Sequence, residues 1–223
     1  MIYEGYLNDI PFTVSTLTVS DLPQIKELQQ AVLAALPDKN ILQPLSDEEL
    51  LNILGGNGLM IGAFVEGKLI AFRALLKPDE HEDEHLGLDI AAKDLSRVLY
   101  QEISNVHPNY RGFGLQKTLA NIIMTQVDLN QYDWVCATVM PYNIASLKDK
   151  FAQQMQIFAL KYKYGGKLRY VFGKSLQDNL ERTGEPVFIS MGDVEQQQYY
   201  LKNGYYGIAM VNRDDDWYVE YRQ

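Results

Sequence analysis

Cysteine is almost absent. Of 223 residues only Cys136 carries a thiol, which excludes an internal disulfide framework and a cysteine-ligated zinc finger and fits a reducing compartment. Basic residues are in deficit, with 20 Lys+Arg against 29 Asp+Glu and a formal charge of −9. A protein that neutralises phosphates needs a basic face, so nucleic acid is not expected as a partner, whereas a cationic substrate suits the balance. Long apolar runs are missing too. None approaches the ~20 residues needed to span a bilayer, and Met1-Ile2-Tyr3-Glu4-Gly5-Tyr6 lacks the basic and apolar regions of a secretory signal. A cytoplasmic protein without a membrane partner is therefore expected. There is no internal repeat and no low-complexity tract, and 47% apolar with 22% charged residues is an ordinary globular composition. The length suggests one domain with an appendage, or two small domains.

Hydrophobic periodicity organises what is present. Residues 12–17 alternate as a strand, and Ser20-Asp21 offers a cap before a helix over 22–36, with Leu22, Ile25, Leu28, Val32 and Leu36 on one stripe. Ser46 followed by Glu49 opens a second helix that stops at Gly55-Gly56. Two apolar runs, 59–65 and 69–76, flank Glu66-Gly67 and predict a hairpin. Residues 77–85 carry Asp79, Glu80, Glu82, Asp83 and Glu84 and read as a solvated loop. In that loop His81 and His85 are placed in solvent rather than on a metal, and no metal site is expected. A strand over 98–106 leads to a helix from about Gly114, then come a buried strand over 134–140, a helix over 144–155, and strands at 157–162 and 169–172. Residues 174–223 form the appendage: a strand over 186–190, a helix capped by Asp193, and a hairpin around residues 212–216. Its tyrosines, with Trp217, read first as core. The fold class is α/β (α+β by some schemes), a mixed sheet in which hairpins are antiparallel and the strand–helix–strand crossovers parallel.

The most informative stretch is Val106-His107-Pro108-Asn109-Tyr110-Arg111-Gly112-Phe113-Gly114-Leu115-Gln116. A strand runs through a glycine-bearing turn into a helix, so N–H groups face inward, the helix adds its partial positive charge, and Arg111 supplies a fork of donors. Such a turn suits a pyrophosphate. Neither the dinucleotide fingerprint nor the Walker pattern is present, which excludes a plain Rossmann or P-loop reading.

On these residues the sequence resembles the GNAT superfamily of N-acetyltransferases, whose signature [Q/R]-x-x-G-x-[G/A] opens the helix that holds the pyrophosphate of acetyl-CoA. Arg111 and Gly114 fill its first two defined positions, and Gln116 stands where the family has Gly or Ala. The hairpin of residues 58–71 is similar to the family's second and third strands, and Pro141-Tyr142-Asn143-Ile144-Ala145-Ser146 to the segment after its fifth. The resemblance spans residues 12–173. It implies a GNAT-like domain over 1–173, a largely antiparallel central sheet flanked by helices, with the C-terminal strand–helix–hairpin extension, 174–223, packed on it.

The resemblance also implies acetyl-CoA as co-substrate, with Val106, His107, Arg111, Gly112, Phe113, Gly114, Leu115, Gln116, Asn143 and Ser146 around it. Acetyl transfer to an amine needs no covalent enzyme intermediate, because the thioester is already activated. Removing the proton of a Lys-like ammonium at pH 7 costs roughly 4.6 kcal/mol, so a general base is expected. Glu102, on the strand before the turn, takes that role by family likeness, and the Val106 N–H the oxyanion. The helix after Asn143 lacks the family's acidic tyrosine, so Tyr142 or Tyr162 stands in as general acid, or the thiolate leaves unaided. Cys136 reads as core. The expected function is acetylation of a primary amine on a small molecule, cationic in one reading, with the acidic loop steering it. A protein or peptide acceptor and a non-catalytic CoA-binding module are the alternatives, and a homodimer stays open.

Overall fold

The structure, a computed structural model, describes residues 1–36 and 43–223. These residues divide into two compact units, one built from 1–77 and 101–127, the other from 78–100 and 128–223.

In the first unit β1 (Tyr3–Leu7), β2 (Ile10–Thr16), β3 (Gly58–Val65) and β4 (Lys68–Leu76) form an antiparallel run in that order. The later residues of β5 (Val98–Val106) lie beside β4. The hairpin expected at Glu66-Gly67 is there, with φ of +51° and +77° at the two turn residues. Helices α1 (Leu22–Ala34) and α2 (Asp47–Asn52) place Ile25, Leu28, Val32 and Leu50 in one cluster with Met60, Leu69, Phe72, Ala74 and Ile103 of the sheet. Ser46 caps α2 in a reciprocal box with Glu49, as its spacing predicts. Strand β1 escapes sequence reading because it is an edge strand whose only buried residue is Leu7, so no alternation marks it.

In the second unit the first residues of β5 pair in parallel with β6 (Trp134–Val139), Val98 opposite Trp134 and Tyr100 opposite Cys136. Next come, in sheet order, β8 (Lys167–Ser175), β7 (Gln156–Lys163), β10 (Tyr206–Arg213), β11 (Asp216–Arg222) and β9 (Val187–Ser190), each antiparallel to its neighbour. The mixed, largely antiparallel sheet with flanking helices is the architecture expected. Cys136 is fully buried, and burial with Asp89 nearby pushes its thiol far above the usual range, which leaves it a core residue. Residues 174–223 supply β9, α6 (Val194–Lys202), β10 and β11 to this unit.

Helix α6 is bound to the sheet through one buried amide. Gln197 Oε1 accepts both the Tyr170 hydroxyl at 2.7 Å and the Tyr221 hydroxyl at 2.9 Å, while Nε2 donates to Met191 O at 3.0 Å. All three side chains are 0% exposed. Replacing Gln197 by Leu strands two buried hydroxyls, each costing about 1–3 kcal/mol. Gln197→Leu is therefore expected to lose about 2–6 kcal/mol in urea unfolding, and Tyr170→Phe combined with Tyr221→Phe in that background to recover part of it.

Candidate functional site

The turn after β5 begins with His107, whose N–H donates to Ile70 O of β4 at 2.8 Å. Its Nδ1 accepts the Asn109 N–H at 3.2 Å and opens a tight turn over Pro108–Tyr110. Tyr110 N bonds His107 O at 2.9 Å and Arg111 N bonds Pro108 O at 3.3 Å, and the next bond of the chain is Thr118 N to Gly114 O at 3.0 Å. Among the described residues the N–H groups of 112–117 thus have no acceptor. Gly112 and Gly114, at φ +85° and +76°, put left-handed residues on either side of Phe113, the kind of alternation from which anion-receiving nests of N–H groups are built. A Cβ at either glycine would meet nothing within 4 Å, so the backbone twist, and not space, is what requires glycine. Helix α4 (Leu115–Thr125) starts there without a side-chain cap, unlike α2, α5 (Ile144–Ala152) and α6, which Ser46, Asn143 and Asp193 cap. Arg111 and Phe113 are exposed beside it, and Leu115 is buried below. A run of unsatisfied donors at a helix start, with an arginine next to it, can hold a dianionic oxygen cluster.

Arg73 braces this helix start from below. It is 1% exposed on β4 and donates to Gln101 Oε1 at 2.7 Å and to the carbonyl of Gln116, in the first turn of α4, at 3.3 Å. In the sequence its one signal is a lone cation inside the apolar run of residues 69–76. Gln116 is half-buried, and its backbone carbonyl accepts from Arg73. From residue 102 to 106 burial alternates, with Glu102, Ser104 and Val106 half-buried and Ile103 and Asn105 buried. Asn105 is 1% exposed, and neither its Oδ1 nor its Nδ2 has a partner among the described residues.

Tyr142, Asn143 and Ser146 belong to the second unit. Asn143 caps α5, its Oδ1 accepting from Ser146 N at 3.4 Å, so these two residues first of all build the helix start. Tyr142 is 49% exposed, and its hydroxyl donates to Asp216 Oδ1 at 3.3 Å. Burial foremost raises the phenol above its ordinary value, which makes it a poorer proton donor to a thiolate than a free tyrosine.

The acidic loop is exposed as expected, but it is not free. Glu82 accepts the Tyr100 hydroxyl at 2.5 Å, and the same hydroxyl accepts Leu86 N at 2.7 Å. Glu84 accepts Tyr164 N at 3.2 Å. Beyond it α3 (Leu86–Asp89), too short to show a period, ends at an Asp89 whose carboxylate is held by Lys161 and, at 2.8 Å, by Lys163. His85 corrects the solvated-loop expectation. It is 0% exposed, its Nδ1 accepting Gly87 N at 3.0 Å and its ring centred 5.3 Å from that of Tyr100. An apolar neighbourhood in the fold, invisible in a charged stretch of sequence, draws it in. Among the described residues no group of three His, Cys, Asp or Glu side chains is placed to hold a metal ion, and no helix is long and apolar enough to cross a membrane.

Compared with solved structures, the chain is similar to the ribosomal-protein-S18-alanine N-acetyltransferase of Escherichia coli, with a TM-score of 0.56 at 16% identity over 78% of this chain and 99% of that one. It is similar as well to an N-acetyltransferase of Staphylococcus aureus Mu50, at 0.56 and 18% over 75% and 99%. Arabidopsis thaliana NAA60 in complex with acetyl-CoA gives 0.55 and 17% over 75% and 99%. The fold is that of the GNAT N-acetyltransferases. No family model matches the sequence, and no curated protein does, so the GNAT fold is recognised through backbone similarity and the residues of the turn.

Two expectations follow within this GNAT fold. An unpartnered buried amide costs about 1–3 kcal/mol, so Asn105→Val should raise the thermal midpoint by about 2–12 °C, at roughly 2–4 °C per kcal/mol for a chain this size. Burial, the largest influence on His85, lowers its pKa below 6.5, against the opposing pull of Glu82, Asp79 and Glu80 and with that of Lys163. Between its folded value and 6.5 the unfolded chain binds the extra proton, so stability falls as pH drops below about 6.5. Melting curves at pH 7 and 5.5 should separate less in His85→Asn, whose amide can still cap α3, than in the wild type.

Proposed function

We propose that the chain is an acetyl-CoA-dependent N-acetyltransferase that moves the acetyl group to a primary amine by direct attack on the thioester. One observation carries this reading: in a GNAT fold, the N–H groups of 112–117 lack acceptors among the described residues, beside Arg111, at a helix start without a side-chain cap. That donor set fits the pyrophosphate of acetyl-CoA, and the neighbour NAA60 is a structure with acetyl-CoA. His107, Gly112, Phe113, Gly114, Leu115 and Gln116 would line the phosphates with Arg111. Asn143 and Ser146 are proposed cofactor contacts from α5.

For the chemistry, Glu102 takes a proton from the ammonium, directly or through water, to free the amine that attacks the thioester carbon, and Val106 N–H faces the developing oxyanion. The leaving thiolate, from a thiol with a pKa near 8.5, departs without need of a strong acid. This agrees with a Tyr142 hydroxyl that is both raised in pKa and turned to a carboxylate. The acceptor is proposed to be a small-molecule amine, for which the exposed carboxylates of 79–84 raise the local concentration of a cation. A protein or peptide acceptor is the second reading, favoured by the neighbour that acetylates an alanine of ribosomal protein S18.

Calorimetric titration with CoA and acetyl-transfer assays over an amine panel test the assignment. Arg111→Ala should weaken CoA binding about 10–100-fold, the value of a charge-assisted fork. Glu102→Gln should cut turnover about 100-fold or more with CoA affinity unchanged. Unchanged affinity in Arg111→Ala would remove the pyrophosphate from this turn. CoA binding without acceptor-dependent turnover across the panel would leave a binding module in place of an enzyme.

A further inference from the structure

The segment that opens α5 is held from the far end of the chain. Tyr142 has φ +63°, a left-handed conformation that a bulky residue keeps only when its surroundings impose it. The imposing contacts come from the C-terminal strands. Asp216, the first residue of β11, accepts the Tyr142 hydroxyl on Oδ1 at 3.3 Å and the Ser190 hydroxyl on Oδ2 at 2.6 Å, and Oδ1 also takes its neighbour's N–H, Trp217 N, at 2.8 Å. Ser190 Oγ in turn accepts Gly192 N at 3.1 Å. Gly192 leaves room for the phenol, since a Cβ there would lie 3.1 Å from the Tyr142 hydroxyl. One turn further on, Lys148 of α5 places its ammonium 5.3 Å above the Trp217 ring. The carboxylate between these donors is held below its ordinary range by the Ser190 hydroxyl first and the Trp217 N–H second, so it stays an anion and an acceptor at neutral pH.

We propose that Asp216 is a positioning residue for acetyl-CoA binding. It fixes Tyr142, Tyr142 fixes the turn of residues 140–143, and that turn presents Asn143 and the first N–H groups of α5. The last strands of the chain are then a working part of the cofactor site, and not only additional core. Tyr142 itself acts through its hydroxyl as a tether and donates no proton to the reaction. The inference rests on the acetyl-CoA reading given above and on Asn143 as a contact.

Its test uses the full-length protein and the variants Asp216→Ala, Asp216→Asn, Tyr142→Phe and the Asp216→Ala, Tyr142→Phe pair. In the ligand-free protein, amide hydrogen exchange over residues 142–147 should quicken at least tenfold in Asp216→Ala and Tyr142→Phe, while exchange in β8 stays as in the wild type. CoA affinity by calorimetry should fall about 5–10-fold in each single variant and no further in the pair, because both remove one tether. Asp216→Asn keeps an oxygen for the phenol and should return affinity to within about twofold of the wild type. In turnover the KM for acetyl-CoA should rise while the KM for the amine stays constant. Unchanged exchange over 142–147, or losses that add in the pair, would overturn the tether. Faster exchange with unchanged CoA affinity would overturn its role in binding. A wild type that binds no CoA would sink the acetyl-CoA reading itself, and the positioning role with it, whereas Arg111-dependent binding that ignores Asp216 would sink the positioning role alone.

Discussion

A backbone N–H seeks an acceptor, and in ladders, turns and side-chain caps it finds one. Between β5 and α4 a run of them finds none among the described residues. Two left-handed glycines and a helix start without a capping side chain leave a run of donors without an acceptor among the described residues. The surrounding parts follow from keeping that run in place: His107 ties the turn to β4 through its own N–H, and Arg73 holds the first turn of the helix from within the sheet. A buried guanidinium is a costly brace unless hydrogen-bonded, and here its donors reach an amide oxygen and a carbonyl. Its charge also adds positive potential at that helix start.

Much of this was legible before any coordinates. The hairpin at Glu66-Gly67, the capping box at Ser46, the buried strand around Cys136 and the strand–turn–helix at Arg111 all announce themselves locally, through alternation, through cap residues three apart, or through glycine spacing. Even the C-terminal strand, helix and hairpin fall where turn residues put them. Illegible features depend on partners distant in sequence. His85 looks solvated among carboxylates and is buried because Tyr100 and the backbone of α3 close over it. Gln197 looks like one of several glutamines on a polar helix, and only the fold brings it two tyrosine hydroxyls. Tyr142 reads in the sequence as a stand-in acid, and only the fold brings it Asp216 from 74 positions away.

The acidic segment shows how the two kinds of information combine. Composition alone makes residues 79–84 a source of negative potential, and that holds, because a hydrogen-bonded carboxylate is still an anion. Geometry adds that the segment is pinned at Glu82, Glu84 and Asp89, the last between two lysines of β7. Charge that is pinned acts as a fixed field, in contrast to the averaged cloud of a mobile loop.

The parallel pairing of β5 with β6 reaches further than its three residue pairs. Helix α4 lies between these strands in sequence and belongs to the other compact unit, as do the last residues of β5 itself. Neither unit is therefore an unbroken length of chain, and neither can be isolated by trimming from one end. A ribosome delivers the strands of the first unit before α4 exists to complete it, and the second unit must wait for β6 to give β5 its neighbour. Folding is thereby committed to non-local closure, which is slow compared with hairpin formation. Evolution is constrained in the same way, since chain segments are not readily exchanged between two units that each draw on two stretches of sequence.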